Sequence, residues 1–129
     1  MLHRRDFLVS MSAAATAAQT SGQSAIPRTE SYPAPDRELM VPVSGGRVYV
    51  RVNGSIDGPR LPLLLIHGGP GGTHASLINS LALSDERAVI LYDQLDTGKS
   101  DHPNNPANWT VSRFRDEVEA IRIAVGARR

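Results

Sequence analysis

The sequence of 129 residues contains no cysteine. This absence excludes a disulfide framework and zinc sites built on thiolates, and it is compatible with either side of a membrane. The chain also lacks an excess of one charge, because 14 basic residues oppose 13 acidic ones and give a formal net charge of +1. Since these charges are spread along the chain, nothing in them indicates a nucleic-acid partner.

Long hydrophobic runs are missing as well. The mildly apolar stretch from Phe7 to Ala18 is shorter than the ~20 residues that a helix needs to span a bilayer, so we expect no stable membrane anchor. With 40% hydrophobic and 21% charged residues, the composition is that of a globular protein. The length allows at most one domain.

The first 25 residues have the layout of a bacterial export signal. Arg4 and Arg5 precede "DFL", and the apolar stretch that follows is diluted by serine and threonine before it reaches alanines suited to cleavage. This start resembles a twin-arginine signal. The resemblance implies a periplasmic or extracellular protein and, as a partner, the twin-arginine translocation machinery. The alternative is a chance basic start on a disordered or helical N-terminus.

A proline-rich linker is predicted over residues 26–37, where "IPRTESYPAPD" holds few aliphatic residues. The folded part then covers residues 38–129. It begins with a predicted hairpin, since Gly45 and Gly46 suit a tight turn and the next strand alternates in pattern. That strand is expected to bury one face and expose the other: the apolar face is Val48, Val50 and Val52, and the wet face is Arg47, Tyr49 and Arg51. Pro42 favours an edge position for the first strand.

Two continuous aliphatic runs predict central strands of a parallel sheet. They are "LLLI" at Leu63–Ile66 and "AVILYD" at Ala88–Asp93, and both are expected to be covered on both faces. The segment between them, Thr73–Arg87, is long enough for one crossover helix. The order of strand, helix and strand indicates a right-handed parallel unit, and therefore an α/β fold.

A last helix is predicted after Thr110, which can cap it, and before Gly126, which suits its end. Apolar residues recur at intervals of three and four and predict one buried stripe, formed by Val111, Phe114, Val118, Ile121 and Val125. The charged residues between them predict a solvated face, formed by Arg113, Asp116, Glu117 and Arg122.

The motif "HGGPGG" directly follows the first aliphatic run and comprises His67, Gly68, Gly69, Pro70, Gly71 and Gly72. Ligands of open parallel sheets bind beyond the carboxyl ends of the strands, and glycines there let backbone amides converge on an anion. A phosphate is disfavoured, because the glycine spacing does not match a dinucleotide fingerprint. In addition, "TGKS" would need a P-loop glycine where Asp93 stands. An oxyanion of acyl transfer is the favoured ligand.

A second motif, "YDQLDTGKSD", follows the second run, so it should lie on the same rim of the sheet. The pair of motifs resembles the proline iminopeptidase group of α/β-hydrolases, which usually shows H-G-G-P-G and then D-Q-x-G-x-G-x-S. The resemblance covers roughly residues 38–129. It implies the N-terminal portion of an α/β-hydrolase sheet, a hairpin and then parallel strand-helix-strand-helix, and it leaves that sheet incomplete. The substrate it implies is a small peptide or amide, and it implies no cofactor.

The resemblance also assigns roles to residues. The backbone amide of Gly69 would be one donor of the oxyanion hole, and His67 would be a structural residue of the turn. Asp93, Gln94, Gly98 and Ser100 would mainly brace the neighbouring loop. Asp96 departs from the usual glycine, which matters if its position needs a positive φ.

His74 and His102 are expected to be exposed, as loop or helix-start residues. Nothing in the sequence pairs them at ligand spacing, so no metal site is predicted.

A catalytic serine on a G-x-S-x-G elbow is not found in the 129 residues, and neither are the acid and histidine that should follow it. The sequence therefore predicts an N-terminal fragment of an exported serine hydrolase that is inactive by itself. Two alternatives remain. The chain could be a complete but non-catalytic gene product or small exported binding module. Within the enzymes, the family could act on esters or epoxides.

Overall fold

A computed structural model describes residues 32–69 and 71–128. The predicted signal with Arg4 and Arg5, most of the predicted linker, and Pro70 lie outside the described residues. The strands are β1 (Arg37–Val43), β2 (Gly46–Asn53), β3 (Leu63–Leu65) and β4 (Val89–Tyr92). Two 3₁₀ helices cover His74–Leu83 and Pro106–Asn108, and the helix α1 covers Val111–Val125.

The four strands form one mixed sheet in the order β1-β2-β4-β3. β1 and β2 form the predicted antiparallel hairpin, β2 pairs with β4 antiparallel, and β3 pairs with β4 in parallel. The predicted α/β architecture is therefore confirmed, and β1, which contains Pro42, lies as predicted at one edge of the sheet that the described residues form. The tight turn is also confirmed, with Gly45 at a φ of 95°.

The prediction of a wet face on β2 is wrong for two of its three residues, since only Arg47 is exposed. Val48, Val50 and Val52 are buried as expected, but Tyr49 and Arg51 are buried too. Residues 33–36, at the end of the predicted linker, run along this face. The Arg51 guanidinium donates to the carbonyl of Pro33 at 2.7 Å, and Asn53 donates to Ala34 at 2.8 Å.

β4 is buried along its whole length, as predicted for a central strand. β3 is only half-buried, and Ile66 after it is 52% exposed, so the expectation of cover on both faces is wrong for this strand. β3 lies at the edge of the described sheet, where one side has no neighbour among the described residues.

The crossover segment forms a 3₁₀ helix, His74–Leu83, where we expected an ordinary helix. Serine hydroxyls give a physical reason. Ser76 donates from Oγ to the carbonyl of Thr73 at 2.9 Å, and Ser80 donates from Oγ to that of Leu77 at 2.7 Å. Such side-chain bonds compete with the regular helical ladder and favour the tighter turn.

Both ends of α1 are as predicted. The Thr110 side chain accepts a hydrogen bond from the Arg113 amide, and Gly126 ends the helix in the left-handed conformation with a φ of 78°. Ile121 and Val125 pack into the core against the sheet. The buried stripe is shifted from the prediction, however, because Val111 is 87% exposed.

The prediction of a solvated face on α1 is wrong for two of the four residues. Arg113 and Glu117 are 8% and 1% exposed. No helix of the described residues is long and apolar enough to cross a membrane.

Candidate functional site at the carboxyl edge of β3 and β4

Two loops meet at one edge of the sheet, because they follow parallel neighbouring strands. The first loop runs from residue 66 to residue 73 after β3, and the second begins at Asp93 after β4. The first carries the "HGGPGG" motif and the second carries "DQLDTGKSD". This edge is where ligands of parallel sheets bind.

His67 joins the two loops. Its side chain is 3% exposed, and Nε2 accepts a hydrogen bond from the Gln94 amide at 3.1 Å. An imidazole nitrogen that accepts carries no proton, so the proton lies on Nδ1, which donates to the carbonyl of Gly68 at 3.0 Å. One neutral ring thus fixes the start of both motifs.

Asp93 organises the second loop from a fully buried position. Its Oδ1 accepts from the amide of His74 at 2.7 Å and from Nδ1 of His74 at 2.8 Å, and its Oδ2 accepts from the amide of Lys99 at 2.9 Å. The side chain of His74 is 13% exposed, so the expectation of an exposed His74 is wrong. The hydrogen bond to the buried carboxylate of Asp93 explains the difference, because it holds the imidazole of His74 against the second loop. His102 is exposed, as predicted.

Ser100 ties the same loop to the hairpin. Its hydroxyl donates to the carbonyl of Asp93 at 2.5 Å and accepts from the amide of Tyr49 at 2.8 Å. Gly98 allows the loop to close on Asp93. At its φ of 49°, an added Cβ would lie 2.2 Å from Oδ2 of Asp93, so no other residue fits there without a shift.

The first loop presents backbone amides rather than side chains. The amide of Gly69 donates to none of the described residues, and the residue is exposed. Gly72 permits the tight path of this loop, since an added Cβ would lie 2.2 Å from the carbonyl oxygen of Gly68. A free amide at the carboxyl end of a strand can donate a hydrogen bond to an anionic ligand atom.

A cavity of about 790 Å³ lies between the loops. Gly68, Gly69 and Gly71 line it from the first loop, and Gln94 and Asp96 line it from the second. The residues at the start of α1 complete the wall with two aromatic side chains, Trp109 and Phe114. Both halves of the site expected from the sequence therefore line one cavity.

Asp96 has a φ of 69°, so the position does need the left-handed conformation that glycine adopts more readily. The adjacent Leu95 is held from below by α1, because its amide donates to Oε1 of Glu117 at 3.0 Å. Glu117 in turn accepts from the guanidinium of Arg113 at 2.9 Å. These hydrogen bonds from α1 thus fix the position of the loop that carries Asp96.

Ionisable groups around this edge are held in defined protonation states. Burial raises the pKa of Tyr92 to about 12, and the nearby carboxylate of Glu117 acts in the same direction. Burial, together with the hydrogen bond to Glu38, also raises the pKa of Tyr49 above its ordinary value. Both hydroxyls therefore stay protonated at neutral pH. Among residues 32–69 and 71–128, no three metal-ligating side chains lie close enough together to hold a metal ion.

Several features of this site were missed from the sequence. The aromatic wall of Trp109 and the buried pair of Arg113 and Glu117 were not predicted, although the pair has the spacing of a helical ion pair. The contact between His74 and Asp93 was missed too, and no signal in the sequence links two residues 19 positions apart. Each of these features depends on which segments of the chain pack over one another in the folded structure.

Comparison with known proteins identifies the family to which this chain is similar. A family model described as alpha/beta hydrolase fold matches residues 62–129. A proline iminopeptidase of Heyndrickxia coagulans is 42% identical over 88 residues, which are 68% of this chain and 30% of the relative.

Two solved structures agree in fold. The crystal structure of VinJ has a TM-score of 0.67 and 35% identity, covering 72% of this chain and 32% of that one. The crystal structure of a proline iminopeptidase of Mycobacterium smegmatis has a TM-score of 0.62 and 40% identity, covering 72% and 33%. The chain thus spans about a third or less of the length of these proteins. It belongs to the α/β-hydrolase fold family and is related, over that part, to proline iminopeptidases.

Proposed function

We propose that these residues are the N-terminal part of an exported serine hydrolase of the proline iminopeptidase kind. Such an enzyme releases an N-terminal residue, often proline, from small peptides or amides. The observation that carries the proposal is that the amide of Gly69 lies at a cavity lined by both motifs and donates to none of the described residues. The relatives named proline iminopeptidase support the choice of substrate class.

In this proposal the amide of Gly69 donates a hydrogen bond to the oxyanion that forms when a serine attacks the substrate carbonyl. A donor placed in this way contributes a factor of about 10²–10³ in rate, because it acts on charge that develops only in the transition state. His67, Asp93 and Ser100 keep the two loops in position but do not touch the substrate.

The nucleophile, the acid and the catalytic histidine of the proposed enzyme are not among the 129 residues. A free oxyanion donor without a nucleophile gives at most residual catalysis. We therefore propose that the 129-residue chain alone does not turn over substrate.

Two measurements test these statements. The first reads the DNA downstream of the codon for Arg129. An in-frame strand followed by G-x-S-x-G supports the proposal, and the absence of such a frame contradicts it. The second assays the purified chain on a proline arylamide, an aryl ester and an epoxide. Turnover that a serine-directed inhibitor blocks would overturn the proposed inactivity.

Export is proposed from residues 1–25, where Arg4 and Arg5 precede a mildly apolar stretch, and it has its own experiment. Residues 1–36 are fused to a folded fluorescent reporter and expressed in a bacterium with and without the twin-arginine translocase. We expect periplasmic fluorescence only when the translocase is present, and its loss in the R4K/R5K variant. The R28K variant, which changes an arginine outside the signal, is the matched control and should be exported normally.

A further inference from the structure

Asp96 is a residue with a Cβ at a position whose backbone conformation favours glycine. Its φ of 69° lies in the left-handed region, which costs free energy for a residue with a Cβ. A strained residue that lines a cavity points to a role for its side chain.

The carboxylate of Asp96 holds the aromatic wall of the cavity in place. Its Oδ2 accepts from Nε1 of Trp109 at 2.9 Å, and its Oδ1 accepts from the amide of Asn104 at 2.7 Å. The indole of Trp109 is thereby fixed at the cavity, while the residue remains 56% exposed. A ring held by its edge in this way keeps area free for a ligand.

The negative charge of Asp96 has no ion-pair partner among the described residues. Both of its hydrogen-bond donors are neutral, an amide and an indole. Arg113, a cation that contacts the aromatic wall, lies against the ring of Phe114 and is paired with Glu117 at 2.9 Å. The carboxylate of Asp96 therefore places uncompensated charge beside the cavity.

A carboxylate next to an accessible indole is the chemistry that binds ammonium groups. The carboxylate attracts the charge and accepts its N–H groups, and the π face of the indole adds a cation–π contact. A neutral or anionic group gains neither contribution, and an anion is repelled.

We propose that Asp96 and Trp109 form a subsite for a positively charged ammonium group in the cavity between the two loops. The inference rests on the proposed function in one respect only, that the substrate of this cavity is a peptide or amide with a free amino group. The binding of an amine by the chain does not require catalysis and can be measured separately.

Trp109 is the only tryptophan of the sequence, so selectively excited tryptophan fluorescence reports on this subsite alone. The 129-residue chain is titrated with benzylamine and with its neutral analogue benzyl alcohol at neutral pH. We expect benzylamine to change the emission of Trp109 saturably and to bind at least about fivefold more tightly than the alcohol. Added salt should reduce this preference.

Two variants of Asp96 separate charge from packing. D96N keeps a side chain that tolerates a positive φ and removes the charge, and D96G removes the strain, so both are expected to fold. Each should abolish the preference for benzylamine over benzyl alcohol. The matched control is D116N, because the side chain of Asp116 is 66% exposed on α1 and already paired with Arg115. It should bind benzylamine like the unchanged chain.

Equal binding of the amine and the alcohol by the unchanged chain would overturn the subsite, and so would a preference that survives in D96N. These outcomes differ from failure of the proposed function. If benzylamine selectivity depends on Asp96 but no G-x-S-x-G frame follows Arg129, the subsite stands and the hydrolase proposal falls. If the frame is present and the selectivity is absent, the hydrolase proposal stands and the subsite falls.

Discussion

Oε1 of Glu117 lies 2.9 Å from the guanidinium of Arg113 and 3.0 Å from the amide of Leu95, and it is thus shared between an ion pair and a loop. Arg113 also donates to the carbonyls of Ser44 and Asn108. Two charged side chains of one helix therefore fasten the hairpin turn, the second loop and the approach to α1 to one another beneath the cavity.

Replacement of Glu117 by alanine should be strongly destabilising. It leaves a buried guanidinium without its counter-charge, a change that costs about 3–5 kcal/mol. It also leaves the Leu95 amide without its acceptor. The E117Q variant keeps an acceptor oxygen and should lose less. Urea unfolding measures both, and the control D116A, which breaks the exposed pair with Arg115, should lose less than about 1 kcal/mol. Equal losses for E117A and D116A would show that the buried pair does not support the fold.

Replacement of Gly98 by alanine should distort the second loop. The new Cβ meets the Asp93 carboxylate at 2.2 Å and sits at a φ of 49°, so we expect a loss of about 1–3 kcal/mol from backbone strain, with the steric clash adding to it. G68A is the matched control in the first loop, because a Cβ there meets nothing within 4 Å. Chemical unfolding of the two variants compares them directly. A G98A chain as stable as G68A contradicts the clash.

Replacement of His67 by alanine should separate the two loops. The Gln94 amide loses its acceptor in a largely buried place, which costs about 1–3 kcal/mol. Hydrogen exchange should then show faster exchange of that amide. The control is H102A, an exposed histidine, whose stability should change by less than about 0.5 kcal/mol. Unchanged protection of the Gln94 amide in H67A would refute the bridge.

Stability should fall at alkaline pH because of Tyr92. The pKa of this residue is 10.0 in its ordinary state and about 12 in the fold, since burial favours the neutral phenol. The unfolded chain therefore releases its proton at lower pH than the folded chain. The contribution is fully present below pH 10 and is lost as the pH rises from 10 towards 12. Urea midpoints across this range should decline less steeply in Y92F. The control Y32F changes a tyrosine that is 45% exposed and should follow the unchanged chain.

Much of the fold could be predicted from local patterns. The hairpin, the pairing of β3 with β4 in parallel, and the two caps of α1 followed from alternation, from aliphatic runs and from Thr110 and Gly126. The placement of both motifs at one edge followed too, because each directly succeeds a strand. These features depend on short stretches of chain and on the geometry of parallel strands.

The burial of charged and polar residues was decided only by the tertiary structure. Periodicity reports the face of an element on which a residue lies, but it does not report which other segment covers that face. Arg51 is buried because residues 33–36 cover it, and Glu117 is buried with its Oε1 bonded by the Leu95 amide and by the guanidinium of Arg113. His74 reaches Asp93 for the same reason, since a buried carboxylate needs donors and takes them wherever the chain brings them. The sequence by itself determined the order of the elements and the edge where the glycines of "HGGPGG" stand. Tertiary contacts decided which side chains surround that edge, because the free energy of burying a charge depends on partners from distant parts of the chain.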